Sequence, residues 1–282
     1  VKTLISCSTH DTLLFFTNMG KVYKAKGYEI PEYGRAAKGI PVINLLGIDS
    51  NERIEAIISA SGGPQEGRYL FFTTRLGIVK RTSVTAFSNI RANGLIAIGL
   101  RENDELVNVV ETNGQDVMII GTHNGYSVTF KEELVRDMGR TAAGVRGIRL
   151  REDDYVVGAS VIKEDSEVLV ITENGYGKRT KGSEYPIKGR GGKGIKTANI
   201  TAKNGPLAGL TTVSGKEDIM LITDKGVIIR FNVETVSQTG RATLGVRLMK
   251  MENGAKVVTM ATVDPEVSET EEEISSESQY DE

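Results

Sequence analysis

Lysine and arginine recur at fixed offsets along this sequence. Five glycines, Gly20, Gly77, Gly125, Gly175 and Gly226, lie 57, 48, 50 and 51 residues apart, and the residue four places after each is Lys24, Arg81, Thr129, Arg179 or Arg230. Lys80 and Lys178 double the charge in two copies. About fifteen residues after each glycine comes an arginine followed by small residues and a further glycine. The five copies are Arg35-Ala36-Ala37-Lys38-Gly39, Arg91-Ala92-Asn93-Gly94, Arg140-Thr141-Ala142-Ala143-Gly144, Arg190-Gly191-Gly192-Lys193-Gly194 and Arg241-Ala242-Thr243-Leu244-Gly245. Any soluble surface carries Lys and Arg; the shared offset, almost never taken by an acid, sets these apart. A periodic basic stripe suits phosphate contact, because Gly and Ala let backbone N–H groups approach a duplex. Base reading is not implied, since no helix or long ribbon is offered to a groove. The expected contacts are therefore Lys24, Arg35, Lys38, Lys80, Arg81, Arg91, Arg140, Lys178, Arg179, Arg190, Lys193, Arg230 and Arg241. Binding of this kind is largely sequence-independent and salt-sensitive, with preference entering through the bendability of the duplex.

The elements that must hold these residues repeat as well. An apolar strand, a threonine and a short turn ending in glycine lead into a basic strand, as in Leu13-Leu14-Phe15-Phe16-Thr17 before Gly20 and Val168-Leu169-Val170-Ile171-Thr172 before Gly175. The other copies run through Tyr69–Thr73, Val117–Thr122 and Ile219–Thr223. Asn124-Gly125 and Asn174-Gly175 are hairpin signals, since both residue types tolerate positive φ. The first strand is apolar without alternation, which suits burial on both faces. A β-rich run after each arginine element and a further strand bring the total to about four strands per unit. Four short strands in a radially repeated unit predict an all-β, propeller-like fold. A solenoid has the same period, but the lack of atypical end repeats favours a ring. The expected repeats are approximately 1–54, 55–106, 107–156, 157–207 and 208–263.

The chain has 282 residues, 35 Lys and Arg, 37 Asp and Glu, and a formal net charge of −2. That average hides a split. Residues 264–282 hold nine acids and no Lys or Arg, which leaves 35 basic and 28 acidic residues, a net of +7, in 1–263. Self-repulsion and low hydrophobicity predict a disordered acidic tail over 264–282, with Asp264-Pro265 as its boundary. With one cysteine, Cys7, there is neither an internal disulfide nor a cysteine zinc site, and a reducing cytoplasm fits. Cys7 is expected as a small core residue in an apolar strand. No membrane span or signal pattern is seen. The opening at Val1, inside a strand-like stretch, reads as a fragment of a longer chain.

Sites of other chemistry are weak. Gly189-Arg190-Gly191-Gly192-Lys193-Gly194 fits G-x-G-x-x-G, but no parallel βαβ unit surrounds it and the same slot recurs in four other repeats. Ile195 breaks the Gly-Lys adjacency of a phosphate loop. His10 and His123 are isolated and read as surface or capping residues, not a metal pair. The acids at 102–105 and Asp153-Asp154 read as solvated turn residues. No nucleophile–base–acid set stands out, so no catalytic residue is assigned.

The strings Thr9-His10-Asp11-Thr12-Leu13-Leu14-Phe15-Phe16-Thr17-Asn18, Tyr28-Glu29-Ile30-Pro31, Met138-Gly139-Arg140-Thr141 and Asn174-Gly175-Tyr176-Gly177-Lys178-Arg179-Thr180 carry a family likeness. Through residues 1–263 the chain resembles the C-terminal domain of the DNA gyrase A subunit, from the type IIA topoisomerases. The resemblance implies a β-pinwheel, a propeller relative whose blades exchange strands, with about five four-stranded blades present of a probable six. Its implied partner is double-stranded DNA bent around a positively charged rim, in support of ATP-dependent negative supercoiling. In the parent A2B2 complex it implies the N-terminal breakage-reunion part of the same polypeptide, together with a separate ATPase subunit. ATP and Mg2+ are implied for that complex and no cofactor for this chain. A bacterial, chromosome-associated, cytoplasmic location with no membrane contact is implied too. The family's Gln-Arg-Arg-Gly-Gly-Lys-Gly box belongs to its first blade, and Arg190–Gly194 echoes its last five positions in the fourth repeat present. The acidic tail resembles family tails that modulate wrapping. Alternatives are the corresponding domain of the topoisomerase IV A subunit and a protein-interaction propeller working through a central face; a propeller enzyme lacks candidate acids.

Overall fold

The computed structural model describes residue 5 and residues 7–34, 37–60, 65–252 and 254–263. The acidic tail at 264–282 and the candidate Arg35 lie outside the described residues. The first repeat supplies β1 (Thr12–Thr17), β2 (Lys21–Lys26) and β3 (Ile54–Ala60). The second supplies β4 (Tyr69–Thr74), β5 (Ile78–Ser83), β6 (Leu95–Ile96) and β7 (Leu106–Thr112). The third supplies β8 (Val117–Thr122), β9 (Tyr126–Lys131), β10 (Val145–Arg146) and β11 (Val156–Ile162). The fourth supplies β12 (Glu167–Thr172), β13 (Tyr176–Lys181), β14 (Ile195–Lys196) and β15 (Leu207–Val213). The fifth supplies β16 (Asp218–Thr223), β17 (Ile228–Asn232), β18 (Val246–Arg247) and β19 (Val257–Val263).

These strands form five antiparallel blades arranged as a β-propeller. The sheet orders are β3-β1-β2-β6, β10-β5-β4-β7, β11-β8-β9-β14, β15-β12-β13-β18 and β17-β16-β19. The outermost strand of each four-stranded blade therefore comes from the following repeat: β6 pairs with β2, β10 with β5, β14 with β9 and β18 with β13. This exchange is the pinwheel feature. Among the described residues the fifth sheet has three strands, because no described repeat follows to lend a fourth. The matching segment of the first repeat holds a short helix, α1 (Val42–Leu45), after Pro41. Proline has no N–H to give a ladder, and no described blade precedes it.

The hairpin turns explain the recurring threonine. At the end of β1, β4, β8, β12 and β16, the hydroxyls of Thr17, Thr74, Thr122, Thr172 and Thr223 accept from the N–H groups of Lys21, Ile78, Tyr126, Tyr176 and Val227 at 3.1–3.4 Å. In the second copy the working residue is Thr74, one place after the threonine that the sequence pattern suggested. Asn124 has no positive φ; Gly125 alone does, at +83°, in a three-residue loop. A single left-handed glycine closing a three-residue hairpin loop is the commoner alternative to the two-residue Asn-Gly turn.

The unbroken apolar first strands lie between neighbouring blades, as their lack of alternation required. Leu14 and Phe16 pack with Leu70, Phe72 and Phe87 of the second blade, whereas Leu13 and Phe15 point into a separate cluster with Tyr23 and Leu46. The Phe16 and Phe72 rings meet edge-on at 5.6 Å. Phe71 turns the other way, onto Phe130 and Met118 of the third blade. Each fully buried ring contributes on the order of 1.5–3 kcal/mol through its removal from water, so the blade junctions form the core. Cys7, expected inside, is exposed; the first described strand starts at Thr12, so Cys7 lies outside that strand. Among the described residues no helix is long and apolar enough to cross a membrane. Phe72→Ala is expected to lower stability by about 3–5 kcal/mol, read as a lower urea midpoint at unchanged slope; a loss below about 1 kcal/mol would show that this junction does not carry the fold.

Candidate nucleic-acid interface

From the second repeat on, the arginine element lies along the outside of the preceding blade. Its start is tied to that blade's second strand by a backbone hydrogen bond: Met138 N–H to the Arg81 carbonyl at 2.9 Å, Lys188 to Thr129 at 2.8 Å and Thr239 to Arg179 at 2.8 Å. Its closing glycine must be glycine for two reasons. Gly144 has φ +89°, and a Cβ there would sit 2.4 Å from the Val79 carbonyl oxygen; the same contact at Gly245, with φ +81°, is 2.7 Å from the Gly177 oxygen. The chain then enters the lent two-residue strand. Successive loops are also linked to each other, through Gly99 N–H to the Ala142 carbonyl, Arg149 to Gly192 and Asn199 to Thr243 at 2.8–3.1 Å. The result is a belt of loops along the blades' outer edges.

The structure separates the thirteen candidate residues. Lys24, Lys38, Arg91, Arg190, Lys193 and Arg230 are exposed, while Arg140 and Arg241 are half-buried. Arg190 donates from Nε to the Leu134 carbonyl at 2.9 Å and from Nη1 to the Arg146 carbonyl at 3.1 Å. Arg241 does the same to Lys196 at 3.0 Å. A guanidinium has five N–H donors, so both keep donors beyond these anchors. Arg230 is held by Asp218 at 2.8 Å.

Four residues of the strand series belong elsewhere. Lys80 and Lys178 are 0% and 1% exposed, which corrects their expected place on the surface. The position three after the turn glycine points into the junction with the next repeat, where the other blades carry Tyr23, Val128 and Ile229. Lys80 Nζ donates to the carbonyls of Ala97, Gly139 (3.3 Å) and Arg140 (2.6 Å). Lys178 Nζ donates to the carbonyls of Gly240 (2.8 Å) and Arg241 and to Thr243 Oγ1 (3.2 Å). Arg81 and Arg179 are largely covered. Arg81 lies 4.5 Å over the Tyr69 ring and 3.7 Å from the buried Glu132 of the next repeat. Arg179 pairs with Glu167 at 2.6 Å and donates to the Val236 and Glu234 carbonyls. These four join blades, and their positive charge is not at the surface.

Three cations that sequence reasoning missed take their place. The second residue of each lent strand is exposed: Ile96, Arg146, Lys196 and Arg247. The signal was present two places after each loop glycine, where three of the four lent strands carry a base. Those residues read as part of a β-rich run, and only the exchange turns that run into the blade's outer edge. The turn acids divide: Glu102 and Asp153 are exposed as expected, whereas Asp104 and Asp154 are buried, their carboxylates accepting turn N–H groups from Leu76 and from Asn124, each at 2.9 Å. His123 stacks on Tyr155 at 4.4 Å and meets Glu173 at 3.1 Å. Among the described residues no group of three His, Cys, Asp or Glu is placed to hold a metal ion.

Strand-exchanged blades with exposed Lys and Arg along their outer edges define the class of a β-pinwheel. By its sequence the chain belongs to the family described as DNA gyrase C-terminal domain, beta-propeller, which matches it five times over, at residues 11–61, 68–113, 116–163, 166–214 and 217–264. It is 64% identical over 268 residues to the DNA gyrase A subunit of Streptococcus pyogenes serotype M1, covering 95% of this chain and 32% of that one. It is 58% identical over 272 residues to the DNA gyrase A subunit of Streptococcus pneumoniae serotype 4, covering 96% and 33%. The chain thus spans about a third of the length of these relatives. Among solved structures, the C-terminal domain of DNA topoisomerase IV superposes with a TM-score of 0.83 at 30% identity, covering 92% of this chain and 80% of that one. The DNA gyrase A C-terminal domain superposes with a TM-score of 0.79 at 27% identity, covering 92% and 84%. Shape alone does not separate the two kinds of topoisomerase; sequence identity favours gyrase.

The buried lysines give the site a pH signature. Burial, reinforced by the Arg140 charge and opposed by Asp137, lowers the Lys80 ammonium to about 7. Burial, opposed by Glu184 and reinforced by Arg241, lowers Lys178 to about 8. The unfolded chain keeps both protons up to about 10.5. Between those values the unfolded state binds more protons, so stability rises with pH, and this contribution is lost as pH falls through the folded values. The urea stability of wild type relative to Lys80→Met is expected to grow by on the order of 1–3 kcal/mol from pH 6.5 to 9.5. A flat difference would mean that the carbonyls keep the ammonium fully charged.

Proposed function

We propose that the outer belt binds and bends double-stranded DNA through its phosphates, largely independently of sequence. The observation that carries this reading is the succession of exposed cations on neighbouring loops and lent strands: Arg91, Arg146, Arg190, Lys193, Lys196 and Arg247. Each loop is fixed to the next by backbone hydrogen bonds, so their spacing is set by the blades rather than by flexible linkers. A curved rigid track of positive charge neutralises phosphates along a bent path and leaves base edges unread. Membership of the gyrase C-terminal family supports the same reading. The wider role follows as part of the proposal. The chain would wrap DNA for the negative supercoiling carried out by gyrase in the bacterial cytoplasm. Its partners there would be the breakage-reunion part of the same polypeptide and the separate ATPase subunit. ATP and Mg2+ would serve those parts and not this domain.

Counterion release gives the test. Arg91→Ala and Arg190→Ala are each expected to weaken binding to unrelated duplexes alike and to reduce the slope of log affinity against log salt by about one unit, measured by fluorescence anisotropy. Wild-type binding that ignores salt, or no binding at low salt, would sink the proposal.

A further inference from the structure

Lys80 and Lys178 occupy equivalent places in the second and fourth blades. Each sends a buried ammonium into the arginine loop of the following repeat, where it meets carbonyl oxygens in place of a carboxylate. An ammonium carries three donors, and three acceptors converge on each: Ala97, Gly139 and Arg140 on Lys80, and Gly240, Arg241 and Thr243 on Lys178. Lys80 Nζ also lies 4.8 Å from the centre of the Phe72 ring. Two of the acceptors in each set are the carbonyls of the loop arginine and of the glycine before it, so the clamp acts directly on the backbone that carries Arg140 or Arg241. Removing the ammonium would leave those inward-facing carbonyls without their partner, a costlier outcome than losing an exposed bond.

The other loops are held differently. In the third blade the position is Val128, buried and without a polar atom, and the loop above it is Gly189–Gly194. That loop is held by other means: Arg190 reaches back to the Leu134 and Arg146 carbonyls, Gly191 N–H donates to the Gly147 carbonyl at 2.6 Å, and the Gly192 carbonyl accepts from Arg149 N–H at 2.8 Å. In the first blade the position is Tyr23, whose hydroxyl donates to Glu52 of its own repeat at 2.8 Å and whose ring lies under Gly94.

We infer that Lys80 and Lys178 are positioning residues that hold two of the DNA-facing loops, those of Arg140 and Arg241, in a preformed shape through an internal clamp that the loop at 189–194 does without. The term DNA-facing rests on the function proposed above; the clamp itself does not.

The test is amide hydrogen exchange on the full chain, with protection corrected for intrinsic rates. In Lys80→Met, residues 139–144 are expected to lose at least about tenfold in protection relative to wild type, with 189–194, β4, β5 and 240–245 unchanged. DNA affinity of this variant should drop several-fold with an unchanged salt slope, since Lys80 touches no phosphate; a slope lowered by about one unit would mean direct contact and overturn the inference. A Lys80→Met chain with unaltered exchange at 139–144 would overturn it as well. Should Lys80→Met lose protection globally, Thr243→Val removes one acceptor of the Lys178 clamp and should speed exchange at 240–245 alone; no local effect there would count against the clamp. If wild type shows no salt-dependent DNA binding, the proposed function fails while the exchange comparison still decides the clamp.

Discussion

The structure depends on a loan. Each four-stranded blade completes its sheet with a two-residue strand from the following repeat, and that strand can reach its place only if the preceding loop runs along the blade's outer surface. The closing glycines follow from this constraint, because Gly144 and Gly245 press against the backbone of the strand they join. The belt follows as well, because a loop delivered to the edge of one blade brings its arginine to the perimeter. The pairing is small, at two residues per strand, yet it joins segments more than sixty residues apart, such as Ile78 and Arg146. Local hairpins thereby become a continuous assembly in which no four-stranded blade is closed by its own repeat.

The same arrangement divides the basic residues into two populations with different physics. Exposed cations such as Arg91 and Lys193 gain little from pairing in water and remain available to a polyanion. Buried ones, such as Lys80 and Lys178, have given up hydration and are held by carbonyls and rings at the junctions. Breaking such a contact is costly because its partners are left inside. Arg81 and Arg179 stand between, covered and paired with Glu132 and Glu167. Charge counted along the sequence therefore overstates the charge on the rim at the strand positions and understates it on the lent strands.

Much of the architecture was legible in the residues. The unbroken apolar runs such as Leu13–Phe16 reported strands buried on both faces, and the Thr-to-Gly spacing reported hairpins whose turns are held by the threonine hydroxyl. The loop arginines Arg91 and Arg190 were found where their period placed them. What could not be read was partnership. Nothing in Val145-Arg146 says that these two residues pair with Ile78 and Val79 of another repeat, so Arg146 looked like one base in a strand. Lys80 failed as a surface residue for the same reason: its environment is built from Gly139 and Arg140, about sixty residues away. Cys7 misled through local hydrophobicity, since it lies outside the first described strand. The family resemblance did name the exchange of strands, which periodicity alone leaves open.

If the belt wraps DNA out of plane along a path fixed by the blades, sealing a nick traps that writhe as a change in linking number. The most direct measurement is the linking number of nicked circles sealed by ligase with the chain bound. A shift that grows in proportion to bound protein and disappears at high salt is the predicted result. Tight binding with no change in linking number would contradict it, since the rim would then hold DNA without a handed wrap.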